Sequence, residues 1–268
     1  MTGIGFISGN EYCGVSANRP LLLNIVQFTD DLEAGRLKVI DLLDRADELG
    51  FDGIELRRED WAGHEEEIPA VRRRADDLGS VVTYATFSEL LIPARVEGHD
   101  QLRGDVDDAA DLGAPFLRVF LGWTPEEDHE AWDRAREAIE YADERGIALA
   151  LENRGSMPGA MLSEIVHAVE TIDDPRLKIN LDVGNYYDND VDVVAAIDRL
   201  ANRIVCTHLV DSTAPGGAVG HGEMPMNKIM DALDALPQQV HYCFEFRGGD
   251  DPERAIERSA AYLEKRTA

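Results

Sequence analysis

Apolar residues recur along the chain in two rhythms. In the first they fall three and four positions apart. Ile68, Val71, Ala75 and Leu78 share one helical face, and Trp132, Ala135, Ile139 and Ala142 share another. Asp, Glu and Arg crowd the other positions, as on helices that pack by one face and meet solvent with the opposite one. In the second rhythm, short apolar runs predict strands at Leu21–Gln27, Asp52–Leu56, Val81–Ala85, Phe116–Phe120, Ile147–Glu152, Lys178–Asp182, Ile204–His208 and Val240–Glu245. Helical patterns separate them, and a last helix is expected near Pro252–Lys265.

A repeated junction sets the frame. Four helical patterns end in a Gly that leads into an apolar run, at Gly50, Gly79, Gly113 and Gly146, with intervals of 29, 34 and 33 residues. Gly suits the left-handed position that closes a helix before a strand begins. Each interval is about one strand-plus-helix unit. Short strands apolar on both faces, alternating with amphipathic helices, argue for parallel pairing. Eight such units in about 250 residues favour an α/β chain closed into a (β/α)8 barrel over an open doubly wound sheet. No linker or low-complexity stretch interrupts the pattern, so residues 1–268 read as a single domain, with the Gly- and Asn-rich first twenty residues ahead of the barrel proper.

Composition narrows the setting. The chain holds 53 acidic side chains against 26 basic ones, a formal charge of −27, and its bases are 22 Arg and only 4 Lys. Hydrophobic residues at 44% suffice for a core, and the charge is interleaved with periodic apolar positions, which excludes intrinsic disorder. No apolar run approaches the roughly 18 residues of a membrane span, and the first residues lack a signal-peptide pattern. Three cysteines, Cys13, Cys206 and Cys243, make no disulfide framework, so a cytoplasmic setting is expected. A field this negative counts against nucleic acid and membrane as partners. Abundant acids with almost no Lys also read as a halophilic surface screened by concentrated salt.

Chemistry is expected at the C-terminal strand ends, where barrels of this kind carry their active sites. The last four strands end in Glu152, Asp182, His208 and Glu245. Each follows an apolar strand, where an unpaired buried charge would cost several kcal/mol. Three carboxylates drawn together repel one another unless a cation lies among them. An oxygen-rich set with one imidazole suits Mn2+, Mg2+ or Co2+ better than structural Zn2+.

The segments LEN at Glu152, LDVGN at Asp182, HLVD at His208, GHGEMP at Gly220–Pro225 and FEFRG at Glu245 resemble, in order and spacing, the xylose isomerase-like TIM-barrel family, the sugar phosphate isomerase/epimerase superfamily. The resemblance implies Glu152, Asp182, His208 and Glu245 as ligands of one divalent metal ion, most often Mn2+, with Mg2+, Co2+ or Zn2+ as alternatives. Glu152 and Glu245 would double as the acid/base pair. It further implies a small ketose, polyol or sugar phosphate substrate, an enediolate intermediate and a possible homo-oligomer. The chain departs from ketose 3-epimerases at three substrate-holding positions, where Pro158 replaces a Glu, Asn185 a His and Ala214 an Arg.

Candidate substrate-binding residues are Arg57, Trp123, Arg154, Asn185, His221 and Arg247. Arg154 and Arg247 lie two residues past Glu152 and Glu245, so strand alternation points them to the same cavity. A guanidinium there could bind a carboxylate, a phosphate or a sugar hydroxyl. Trp123 could stack on a sugar ring, and Gly220 and Gly222 could bring backbone amides and His221 to a ligand. Cys206 and Cys243, two residues before His208 and Glu245, are expected inside the barrel as small hydrophobes. Asn180 at the matching position should have a buried partner. Two further readings stay open: an inosose-type dehydratase with the same metal site, and an endonuclease IV-like abasic-site nuclease. The nuclease requires additional histidines, and Asn185 stands where one would be.

Overall fold

The computed structural model describes residues 19–267 except 94–98, 124 and 157; Cys13 and most of the Gly- and Asn-rich leading segment lie outside them. Eight parallel strands close into one barrel in chain order: β1 (Leu21–Asn24), β2 (Gly53–Arg57), β3 (Val81–Leu91), β4 (Phe116–Gly122), β5 (Ala148–Glu152), β6 (Lys178–Asp182), β7 (Ile204–Leu209) and β8 (His241–Phe244). Closure is the pairing of β1 with β8, with Leu22 opposite Cys243. The helices are α1 (Thr29–Glu33), α2 (Val39–Glu48), α3 (His64–Leu78), α4 (His99–Leu112), α5 (His129–Glu144), α6 (Leu162–Ile172), α7 (Val183–Asp188), α8 (Val193–Leu200), α9 (Met226–Asp234) and α10 (Pro252–Thr267). The (β/α)8 TIM-barrel expectation stands.

The predicted helical faces are the packed ones. Ile68, Val71 and Ala75 of α3 and Trp132, Ala135, Ile139 and Ala142 of α5 are buried, and Leu78 packs partly buried against the same core. That core fills the space between the strands and the helix ring. A second, small cluster of Leu22, Phe116, Ala150, Cys206 and Cys243 plugs the barrel interior. Both cysteines are thus the interior residues their spacing predicted, and burial pushes both thiols up, so they stay protonated and apolar. The junction glycines Gly50, Gly79, Gly113 and Gly146 all adopt φ between 69° and 78°. An L side chain there would bear left-handed strain, and Gly does not.

Strand ends differ from expectation where side chains intervene. β1 stops at Asn24 because its Oδ1 accepts from the Val26 backbone N–H at 2.8 Å and turns the chain into a 3-10 turn over Ile25–Phe28. β3 runs six residues further than predicted. Its register against β4 shifts between Ala85 and Glu89, and Glu59 accepts the Phe87 backbone N–H at 2.7 Å. The irregularity breaks the apolar alternation that marks a strand, and it lifts Phe87 over the mouth of the barrel.

Candidate active site

Four adjacent strands bring residues at or just past their C-terminal ends to one point. Glu152, Asp182, His208 and Glu245 each offer a ligand atom, and these atoms lie within 4.8 Å of one another. His208 is fully buried at the centre. Its Nδ1 lies 2.7 Å from Glu245 Oε2 and 3.6 Å from Glu152 Oε1, so one ring nitrogen faces both carboxylates. Its Nε2 pairs with Glu55 Oε1 at 2.7 Å. Glu55 is itself fixed by Asn24, which donates at 2.7 Å, and by Thr83, which donates at 3.3 Å. A carboxylate behind an imidazole fixes its tautomer and its aim, the usual arrangement around a ligating histidine.

The other members are positioned as firmly. Asp182 caps α7, accepting the Asn185 backbone N–H at 2.7 Å. Asn153 holds the Asp182 backbone from both sides, donating to its carbonyl and accepting from its N–H, each at 2.8 Å. Buried Arg118 pairs through Nε with Glu152 Oε2 at 2.8 Å and donates through Nη1 to the Thr86 carbonyl at 2.7 Å. Asn180 has the buried partners expected of it, since its amide lies 3.3 Å from Glu152 Oε2 and 2.9 Å from His208 Nε2.

Electrostatics shows what this set lacks. Burial, reinforced by Glu152 and Glu245, holds the Asp182 carboxyl well above the usual carboxylate range. Burial alone would push the His208 imidazole down, but Glu245, Glu55 and Glu152 together hold it well above its usual range. Burial would likewise raise Glu245, yet His208, Arg57 and Arg118 hold it below the usual range. Asp182 and His208 are both raised in part by the same cause, the carboxylates Glu152 and Glu245 crowded beside them. Three hard oxygen donors and one imidazole, mutually within coordination reach and short of cation, fit a divalent metal ion such as Mn2+, Mg2+ or Co2+. Cys243 lies near Glu55 and His208, and burial pushes its thiol up.

Above the cluster opens a cleft of about 390 Å3, lined among others by Arg57, Arg118, Glu152, Arg154, Asp182, Asn185, Glu245 and Arg247. Four of the six predicted substrate contacts, Arg57, Arg154, Asn185 and Arg247, therefore reach it. Trp123 and His221 do not. Trp123 is 58% exposed past the end of β4. His221 is exposed, and its Nε2 donates to the Arg258 carbonyl of α10 at 3.1 Å. The turn that carries it packs on α10, where a Cβ on Gly220 would sit 2.4 Å from the Tyr262 ring, so Gly220 serves packing and not a ligand.

The cleft also holds residues the sequence did not single out, namely Phe87, Phe120, Asp188 and Ser212. Phe120 lies opposite Glu152 in the β4–β5 register, and a count of strand-four residues would have found it. Phe87 comes from the extension of β3 and carried no such signal. The two rings are 5.8 Å apart, and three guanidiniums gather on them: Arg154 and Arg118 over Phe120 at 4.3 and 4.5 Å, and Arg57 over Phe87 at 5.7 Å.

Known proteins repeat this architecture. A family model described as "Xylose isomerase-like TIM barrel" matches residues 43–266. Fructoselysine 3-epimerase of Shigella flexneri is 24% identical over 233 residues, covering 74% of this chain and 82% of the relative. The probable 3-DHS dehydratase AsbF of Bacillus anthracis superposes with TM-score 0.74 at 18% identity, covering 91% of this chain and 98% of that one. D-allulose 3-epimerase from Methylomonas sp., solved with D-allulose, superposes with TM-score 0.76 at 14% identity, covering 93% and 97%. With eight strands closed in sequence order and ionisable residues gathered at their C-terminal ends, the chain is an enzyme and belongs to the xylose isomerase-like TIM-barrel family.

Proposed function

We propose that the protein is a divalent-metal-dependent isomerase or epimerase of a small ketose, polyol or sugar phosphate. The observation that carries this reading is the convergence of Glu152 and Glu245, from β5 and β8, on one ring nitrogen of His208. Glu152, Asp182, His208 and Glu245 would hold the metal, which when bound would supply the positive charge that makes a proton beside a carbonyl more acidic. Glu152 and Glu245 are the acid/base pair. One group, as the carboxylate, removes the proton and keeps it, and the other, as the carboxylic acid, delivers its own proton to the opposite face or to the neighbouring carbon, with solvent exchange restoring both. Arg118 and Asn180 fix Oε2 of Glu152, which leaves Oε1 directed to the centre. Asn185 stands where the multi-zinc nuclease family has a further histidine, which speaks against that reading.

A dehydratase is the second reading. Pro158, Asn185 and Ala214 replace the ketohexose grip, and loss of a β-hydroxyl needs only the same base and the same cation. The acidic, Lys-poor exterior supports work in a salt-rich cytoplasm, with Mn2+ as the expected cation. Proton NMR in heavy water, with Mn2+ and a panel of ketoses, ketose phosphates and inososes, separates the readings. Deuterium entering the substrate carbon without loss of water is the expected result. A deoxy-ketone product would replace isomerisation by dehydration, and no exchange with any substrate would sink both.

A further inference from the structure

The cleft holds more positive charge than its carboxylates use. In a chain with about two acids per base, many arginines on the helix faces find acids, as Arg45 does with Glu48, Arg72 with Asp76 and Arg134 with Glu130. Inside the cleft, Arg118 is committed to Glu152, and Arg57 is held by Asp60 at 3.1 Å with Glu245 at 3.8 Å. Arg154 and Arg247 line the same cleft, and neither has a carboxylate within ion-pair distance among the described residues. Helix-face arginines such as Arg73 and Arg254 also form no ion pair among the described residues, but they lie outside the cleft, whereas Arg154 and Arg247 line it.

The way Arg154 is held explains what it is free to do. Its guanidinium lies over Phe120 at 4.3 Å and within 5.6 Å of the Phe87 ring. Stacking fixes the plane of the group without using any of its five N–H donors, so a forked donor is presented to the cleft already oriented. Arg247 extends from the end of β8, two residues beyond Glu245, as Arg154 does beyond Glu152. The unpaired cations therefore flank the two acid/base candidates. The cleft lining counts four guanidiniums against the four carboxylates Glu152, Asp182, Asp188 and Glu245. Arg57 and Arg118 are matched by Asp60 and Glu152, so an oxyanion on the substrate would supply the counter-charge that Arg154 and Arg247 lack.

Resting on the enzymatic reading above, we propose that the substrate carries an anionic group, a carboxylate or a phosphate ester, and that Arg154 and Arg247 bind it. The anion sits outward of the carbons that exchange protons, and Asn185 and Ser212 line the same cleft as neutral hydrogen-bonding groups. Planar guanidiniums match both oxyanions bidentately. The shared chemistry is the oxyanion, and the choice of probe distinguishes its two sources.

Two measurements test this. In the first, EDTA-treated protein is titrated with inorganic phosphate and with malonate at fixed ionic strength, for wild type, R154Q, R247Q, the double variant, and R154K, which keeps the charge without the planar fork. Saturable binding of at least one anion, weakened about tenfold or more in the double variant, is expected. Binding that is absent, or equal in wild type and double variant, overturns the proposal. In the second, the Mn2+-loaded enzyme is given ribulose, ribulose phosphate and a ketogluconate. The anionic substrates should exceed ribulose in kcat/KM, and that ratio should fall about tenfold in R154Q, mainly through KM. Preference for the phosphate names a sugar phosphate, and preference for the ketogluconate names a sugar acid. Equal kcat/KM for neutral and anionic ketoses, unmoved by either substitution, leaves the isomerase reading standing and removes the anion site. Arginine-dependent anion binding without deuterium exchange on any substrate does the reverse.

Discussion

Glu55 shows how much of this site lies behind the groups that would touch a metal. It is fully buried, it receives the His208 Nε2, and Asn24 and Thr83 hold it in turn. Carboxylates in this position raise ligand basicity and fix ring orientation. Glu55→Gln should therefore weaken Mn2+ binding about 10- to 100-fold by competition titration, while Glu245→Gln lowers proton exchange on substrate by about two orders of magnitude or more. Arg118 poses the opposite case, a buried cation whose removal strands a buried carboxylate. Arg118→Met should cost about 3–5 kcal/mol in denaturant unfolding of the metal-free protein, and a cost near zero would mean Glu152 is not held by that pair. His241 adds a pH signature away from the metal ligands. Burial pushes its imidazole below the usual range against smaller opposing effects of its hydrogen bond to the Val205 carbonyl, Glu55 and Asp52, and its ring meets Phe116 edge-on at 5.4 Å. The folded state resists a proton that the unfolded chain accepts, so stability is complete above the ordinary imidazole pKa of about 6.5 and declines as pH falls below it. His241→Phe should flatten the melting temperature between about pH 7 and about pH 5, whatever its baseline. The strand-end residues were legible in the sequence because each closes an apolar run. The role of Glu55 was not, since its spacing says nothing of which residue it faces 153 positions away.

Among the elements, the strands reveal where pattern reading holds and where it fails. β6 has the boundaries its apolar run predicts, Lys178–Asp182. β1 is cut short where its own Asn24 accepts a hydrogen bond from the Val26 N–H, and β3 is prolonged where Glu59 accepts one from the Phe87 N–H. Both effects are local polar contacts invisible to periodicity, and the second supplies one wall of the cleft. Tight packing of backbone on backbone leaves its own test. At Gly53 of β2 an added Cβ would lie 1.9 Å from the Val81 carbonyl oxygen of β3. The strands would have to part, so Gly53→Ala should destabilise by about 3 kcal/mol or more, read as a lower thermal midpoint. A loss below about 1 kcal/mol would mean that the two strands can move apart freely.

For the whole molecule the charge surplus divides into two populations. A few acids belong to the cluster at the strand ends, and many decorate helix faces, some of them paired with arginine as on α3 and α5. Mutual repulsion among exposed acids should be relieved by salt, so the melting temperature should rise from dilute to molar KCl, by about 2–4 °C for each kcal/mol of repulsion removed. A flat or falling response would remove the salt-adapted reading. The barrel itself joins β1 to β8, so Leu22 meets Cys243 only after the intervening strands and helices are in place. Glu245 follows directly on that last strand, and with it comes the second of the two candidate acid/base carboxylates. During translation, then, a nascent chain can build seven strands and still lack both a closed sheet and the fourth member of its ionisable cluster. A chain cut short before β8 would therefore lose the closure of its barrel and a candidate ligand together.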